Sequence, residues 1–363
     1  MRGIRPLRQL IHLPALHLRP QPPQLALYAL KTRSMSSQRE DSIPHELRTA
    51  AEPRQNRLYP VHLAHVEQVN QSIRLLQFTI PEPENGDQQQ PFSFFPGQWL
   101  DVHIPSISNA GGFTITSTPA DAQALPSPED PDASAARENV AASLASQGRA
   151  PYVELAVQDS PSNPAAAWLW KPKHEIIGKE VNIRVGGSFI WPPTGINIHE
   201  IKNVVLIAGG VGINPLISIL SHINQTKIDK PLNVHILYSS RLPQGQATGT
   251  TESVLEQILF LPRLRHIIGS HGPFSRVRID LDLFLTSESA SGLSSKSPSD
   301  LKIHSRRIND QDLYSSMGGR DNATQDTVAY VCGPPIMTDE LVEKLRGVLE
   351  VDGKQRVFFE KWW

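Results

Sequence analysis

Val204–Leu220 reads VVLIAGGVGINPLISIL: an apolar run, a glycine turn and a second apolar run with different spacing. Val204 to Ala208 is continuous and β-branched or apolar, as in a parallel strand buried on both faces. Gly209, Gly210 and Gly212 follow, and glycine lets the backbone turn through positive φ and lets a ligand come closer than a Cβ allows. Asn214 reads as a helix N-cap and Pro215 as the first helical residue. Leu216, Ile219, Leu220 and Ile223 then fall on one helical face. A strand, a glycine turn and a helix N-terminus form an anion site, because unpaired N–H groups and the helix dipole point into the turn. The usual occupant is a dinucleotide pyrophosphate; a bare strand-to-helix turn is the alternative.

Outward from this stretch, strand and helix patterns alternate. Val234–Tyr238 predicts a second strand, Glu252–Phe260 a helix, and Arg265–Ile268 a short strand. The Ser/Gly/Asp/Asn-rich stretch within Thr286–Thr327 reads largely as an insertion. Val328–Val331 is another buried strand, followed by Cys332-Gly333-Pro334-Pro335, and Met337, Leu341, Leu345 and Val348 line a helix. Val357–Phe359 predicts a last strand. Such alternation implies a parallel sheet with ligands at the carboxyl ends of its strands.

Upstream the period changes to two. Leu76/Phe78/Ile80, Leu100/Val102/Ile104, Val153/Leu155/Val157 and Val181/Ile183/Val185 alternate with polar or small residues, which predicts a small antiparallel barrel or sandwich. Asn85–Pro91 and Ala120–Ala150 interrupt it as a polar loop and a surface insertion. The pattern divides the chain into a basic leader (1–39), a polar linker (40–57), a barrel (58–198) and a nucleotide-binding domain (199–363).

The chain has 363 residues, a formal net charge of −1 and one cysteine. No bulk field attracts nucleic acid, and neither a disulfide framework nor a self-contained iron–sulfur cluster is possible with one thiol. No HExxH or GxSxG occurs, no metal ligand set is expected, and no apolar run is long enough to span a bilayer. Before Glu40 there is no acidic residue, while Arg2, Arg5, Arg8, Arg19, Lys31, Arg33 and Arg39 lie among Leu, Ile, Ala and Ser. This composition predicts a mitochondrial presequence cleaved around Thr32–Ser37.

The order of signals (barrel, AGGVGINP, VCGPPIM, and a Glu followed by an aromatic near the C-terminus) resembles the ferredoxin–NADP reductase superfamily over Tyr59–Trp363, and within it the mitochondrial oxidoreductase NAD-binding domain-containing proteins. The resemblance implies a two-domain molecule: an antiparallel flavin-binding barrel followed by a Rossmann-like parallel-sheet domain for NAD(P)H. Hydride would pass from nicotinamide to FAD or FMN and electrons on to an acceptor that the sequence does not name.

The resemblance assigns residues. Pro96-Gly97-Gln98 matches the turn before the flavin-contacting strand, and Gly178–Phe189 the last barrel strand and the turn out of it. Phe113, Thr114, Ile115 and Thr116 fall on the flavin motif, Phe113 supplying the ring and Thr114 a hydroxyl toward the reactive flavin nitrogen. Gly111 stands where the family has a phosphate-binding arginine, and Ala166 where the second phosphate motif has serine, in Asn163-Pro164-Ala165-Ala166. Each missing charge-assisted bond is worth about 1.5–3 kcal/mol. Gly209, Gly210, Val211, Gly212, Ile213, Asn214 and Pro215 would approach the dinucleotide, with Cys332, Gly333, Pro334 and Pro335 around the nicotinamide. Ser240 and Arg241, with no acidic residue beside them, lean toward accepting a ribose 2′-phosphate. Glu360 and Trp362 match the terminal Glu-x-aromatic, so Thr114, Cys332 and Glu360 are the expected catalytic set. The phosphate-grip losses favour, as the alternative, an NAD(P)-binding sensor or assembly protein without redox catalysis; an electron-transfer subunit needing a partner chain is a third reading.

Overall fold

A computed structural model describes residues 44–81, 91–124, 150–242, 250–272, 274–286, 298–318 and 325–361. The expected presequence, the expected loop at 85–90, most of the expected insertion at 120–150, and Trp362 lie outside the described residues.

The first sheet contains β1 (Tyr59–Asn70), β2 (Ile73–Thr79), β3 (Trp99–His103), β4 (Gly111–Thr114), β5 (Tyr152–Gln158) and β6 (Glu180–Gly186). Its order is β4-β3-β6-β1-β2-β5, every pair antiparallel. The two edge strands meet at an Ile115–Leu155 bridge and a bond from Thr116 N to Glu154 O of 2.8 Å, which closes the sheet into a barrel. The alternating residues read from the sequence point inward: Leu76, Phe78, Leu100, Val102, Val153, Leu155, Val181 and Ile183 form one core. Two short helices follow β5, α2 (Pro164–Leu169) and α3 (Lys173–Ile176), and α2 packs Ala165, Ala166 and Leu169 into that core.

The expected linker is folded from Pro44 onward. A one-turn helix α1 (His45–Arg48) and the segment after it lie against the outer face of the barrel, where Arg54 bridges Gly186. Buried Asp101 is the anchor: His45, Arg54 and Arg184 reach its carboxylate at 3.2, 3.0 and 2.7 Å. The polar composition that suggested a linker supplies the ion pairs of this strap.

The second sheet is wholly parallel, in the order β10-β9-β8-β7-β11-β12. It contains β7 (Asn203–Gly209), β8 (Leu232–Ser240), β9 (Val277–Leu285), β10 (Lys302–His304), β11 (Thr327–Gly333) and β12 (Val357–Lys361). Its helices are α4 (Ile213–Gln225), α5 (Thr251–Leu255), α6 (Leu261–Ser270), α7 (Asp310–Ser316) and α8 (Pro335–Leu349). Val204, Leu206 and Ala208 face the core built with α4 and α6, while Val205 and Ile207 face the one built with α7 and α8. Burial on both faces is why this strand reads as an unbroken apolar run.

Four local expectations are corrected. Arg265–Ile268 is helical, within α6, because its buried residues Leu261, Leu264 and Ile267 recur every third position. The helix expected over Glu252–Phe260 stops at Leu255, and Phe260 takes a left-handed φ of 59°. The stretch expected as an insertion holds β10 and α7 among its described residues. Asn214 does not cap its helix: α4 begins at Ile213, so Asn214 and Pro215 occupy its second and third positions. A proline there loses no helical bond, since the first-turn N–H groups have no intrahelical partner.

Candidate active site

The chain leaves β7 toward β8 on one side, and later enters β11 on the other side of β7. The carboxyl ends of β7 and β11 therefore flank the topological switch point, where open α/β sheets bind their ligands. The glycine turn and CGPP end these two strands and are in contact. A Cβ on Gly209 would lie 2.8 Å from Pro334 Cδ and 2.7 Å from Met337 Sδ, and one on Gly212 would lie 2.8 Å from the Gly333 nitrogen. Gly210 has φ of +56°, the conformation that favours glycine. Two helices start here, α4 of 13 residues and α8 of 15, and among the described residues neither has a side-chain cap on its first-turn N–H groups. Their positive dipole ends converge on one crevice. Ser239 pairs with Gly209, so Ser240 and Arg241 stand at the same end of the sheet. Cys332 is fully buried, and the register sets Glu360 beside it on β12.

Glu360 is half-buried, but its Oε2 is sealed from solvent without a hydrogen-bond partner among the described residues. Burial, and secondarily the Glu52 carboxylate, push its carboxyl up to about 8. Glu52 belongs to the strap and accepts from Ser188 Oγ at 2.7 Å and Ser188 N at 3.1 Å. The strap thus extends from the outer barrel face to the cleft, which the sequence did not signal.

The barrel residues sort differently. Ile115 is core, and Thr116 donates its hydroxyl to Glu154 Oε1 at 2.8 Å. Glu154 in turn receives Arg263 of α6 at 2.9 and 3.1 Å. Asn214 Nδ2 donates to Ala156 O at 3.0 Å, and Ser218 Oγ to Ser117 O at 2.7 Å. These contacts fix the nucleotide-side helices to the barrel. Glu154, Arg263 and Ser218 were missed because a pair distant in sequence has no periodic signature. Gln98, part of the expected flavin turn, clamps backbone: it donates to Gly187 O at 3.0 Å and accepts from Phe95 N at 2.8 Å. Gly186 and Gly187 accommodate the Trp99 indole, whose ring atoms would lie 2.5 and 2.6 Å from added Cβ atoms.

The geometry of the barrel does not accommodate the flavin that the resemblance implies. The flavin phosphates would need the groove between β4 and the N-terminus of α2, and that groove is filled. A Cβ on Gly111 would lie 2.5 Å from Ala165 Cβ and 2.6 Å from the Phe113 ring. Phe113 itself is buried in the barrel core beside Ala165 and Ala166. The N–H groups of Ala165 and Ala166 donate to Asn163 Oδ1 at 3.1 and 3.2 Å, so neither is left for an anion. The residues present do not fit a flavin diphosphate.

Comparison with known proteins agrees with the topology. Residues 201–345 match the family model described as ferric reductase NAD binding domain. The chain is similar to Oxidoreductase NAD-binding domain-containing protein 1 of Bos taurus, 28% identical over 346 residues, covering 94% of this chain and 92% of the relative. Among solved structures, the Amycolatopsis cytochrome P450 reductase GcoB superposes with a TM-score of 0.52 at 17% identity, over 85% of this chain and 70% of that one. The cytochrome b5 reductase domain of Ulva prolifera nitrate reductase gives 0.52 at 14% identity, over 84% of this chain and 97% of that one. With its barrel, its parallel sheet and its glycine crevice, the chain shares the two-domain fold of these reductases, and residues 201–345 resemble a ferric reductase NAD binding domain.

Proposed function

We propose that the chain is an NAD(P)H-dependent oxidoreductase that binds the dinucleotide across the crevice between Gly209–Pro215 and Cys332–Pro335. The contact between the two glycine turns at the switch point carries this reading. The uncapped starts of α4 and α8 would face the pyrophosphate, and Ser240 and Arg241 the adenosine ribose. Cys332 would orient the nicotinamide ring, and Glu360, its carboxyl pushed up to about 8 by burial, would carry a proton beside it. Thr114, the barrel member of the expected catalytic set, is buried at the end of β4. The electron acceptor is a redox partner or small molecule outside the chain.

The test is calorimetric titration with NADPH and NADH, followed by anaerobic oxidation of the bound dinucleotide with an artificial acceptor. Arg241→Ala should weaken NADPH about tenfold, as expected for one charge-assisted bond to the 2′-phosphate, and leave NADH unchanged. Equal weakening of both, or none, removes Arg241 from the ribose site.

The filled flavin groove favours a second reading, an NAD(P)-binding sensor or assembly protein without redox turnover. It predicts dinucleotide binding with no oxidation under any acceptor. Residues 1–39 are further proposed to direct mitochondrial import, which a reporter fused to them would test by its location.

A further inference from the structure

We propose that this chain keeps no resident FAD and that the adenosine diphosphate half of a flavin adds nothing to whatever affinity its barrel has for the flavin ring. The inference builds on the NAD(P)H reading above and concerns the other half of the cleft. An FAD-binding barrel needs three things between β4 and the following helix: room for two phosphates, a cation, and unpaired N–H donors.

Each is absent here for its own reason. The room is taken by direct contact of the Gly111 backbone with Ala165 Cβ, and by the Phe113 ring lying over Gly111. No cation is possible at position 111, and an added side chain there would meet Ala165, whose methyl cannot rotate aside. The donors at the start of α2 are occupied by Asn163, which accepts from both Ala165 and Ala166. The neighbouring Gly112 offers no anion seat either, since the His45 ring packs against it, itself held by Asp101 at 3.2 Å. The contrast within the molecule is direct. The helices at the nucleotide crevice, α4 and α8, start without side-chain caps, whereas α2 carries a cap whose oxygen serves two N–H groups.

The decisive experiment compares ligands that share the isoalloxazine ring and differ in the phosphate arm. The full chain, purified under native conditions, is heat-denatured and the released flavin measured by fluorescence; no stoichiometric flavin is expected. The same preparation is titrated with riboflavin, FMN and FAD. The dissociation constants should agree within about fivefold, or all three should fail to bind, whereas a working grip of two charge-assisted bonds would favour FAD by roughly a hundredfold or more. One FAD per chain, or FAD preferred by more than fivefold, overturns the proposal.

An NADPH titration of the same sample separates this outcome from failure of the NAD(P)H reading, since the two sites are built from different strands. The variant Gly111→Arg/Ala165→Gly removes the Ala165 methyl and supplies the cation, and leaves only the far edge of the Phe113 ring to swing aside. It should gain a preference for FAD over riboflavin of at least tenfold. A variant with native circular dichroism and no gain shows that the β4–α2 contact is not what excludes the diphosphate. If the variant does not fold, the wild-type ratio of constants still decides.

Discussion

Gly212 lies so close to the Cys332 carbonyl oxygen that a methyl group on its α-carbon would overlap it. The turn after β7 and the end of β11 are thus set by backbone-to-backbone contact. Gly212→Ala should cost about 1–3 kcal/mol through overpacking and raise the dissociation constant for NADPH at least tenfold, because both walls of the crevice must shift. Gly269→Ala, in α6 with open space around it, serves as the control; it should gain up to about 1 kcal/mol of helix propensity and leave NADPH binding unchanged. Chemical denaturation and calorimetry read both variants.

Arg263 and Glu154 couple the two domains. Glu154 is almost wholly buried and Arg263 is partly exposed. Removing the guanidinium leaves a buried carboxylate whose side-chain partners among the described residues are the Thr116 hydroxyl and the long Gln77 contact. Arg263→Ala should therefore destabilise by about 2 kcal/mol or more, measured as a shift of the urea midpoint. Arg263→Ala/Glu154→Gln should recover part of that loss, because the uncompensated charge is gone.

Asp101 governs acid stability. Burial alone would raise its carboxyl, but hydrogen bonds from His45, Arg184 and Arg54 outweigh burial and hold it at about 2. A carboxyl lowered in the folded state stabilises above its unfolded value of 3.8, and that contribution disappears as pH falls toward 2. The wild type should lose roughly 2 kcal/mol across this window, and Asp101→Asn should lack the step. Limited proteolysis should cut the strap around residues 44–57 in the variant at neutral pH, and in the wild type only after acidification.

Glu360 behaves oppositely. Its carboxyl is raised to about 8, so the folded chain holds the proton more tightly than the unfolded chain does. Its contribution to stability is complete below an unfolded value of 4.5 and is lost as pH rises through 8. Glu360→Gln should flatten the decline in stability between those limits. A pH series of thermal unfolding on the two proteins checks this, and a parallel slope in both would exclude Glu360 as the titrating group.

The architecture was legible wherever burial leaves a period. The inward residues of the barrel alternate, and Val204–Ala208 is apolar throughout because both its faces are covered. The nucleotide crevice was legible because a Cβ at Gly209 would run into Pro334 and Met337, and one at Gly212 into the Cys332 carbonyl. Val277–Leu285 alternates in the same way, with Val277, Leu281, Leu283 and Leu285 buried, and it is β9. The strap was illegible for a physical reason. Its residues are polar like a linker's, and they become structural only because Asp101, buried on β3, collects their charges. The flavin motif was half legible: Gly111 and Ala166 announced the missing groups, but only the structure shows Ala165 and Asn163 filling their place.

Asn214 and Ser218, one helical turn apart on α4, both donate to main-chain carbonyls of the barrel, those of Ala156 and Ser117. A carbonyl is the same whatever side chain its residue carries. Substitution at Ala156 or Ser117 that leaves the backbone path intact therefore leaves the position of α4 intact, whereas substitution at Asn214 or Ser218 does not. Tolerance to mutation across this joint is one-sided: the barrel can vary in sequence beneath the nucleotide helix, and the helix is the partner held to its residues.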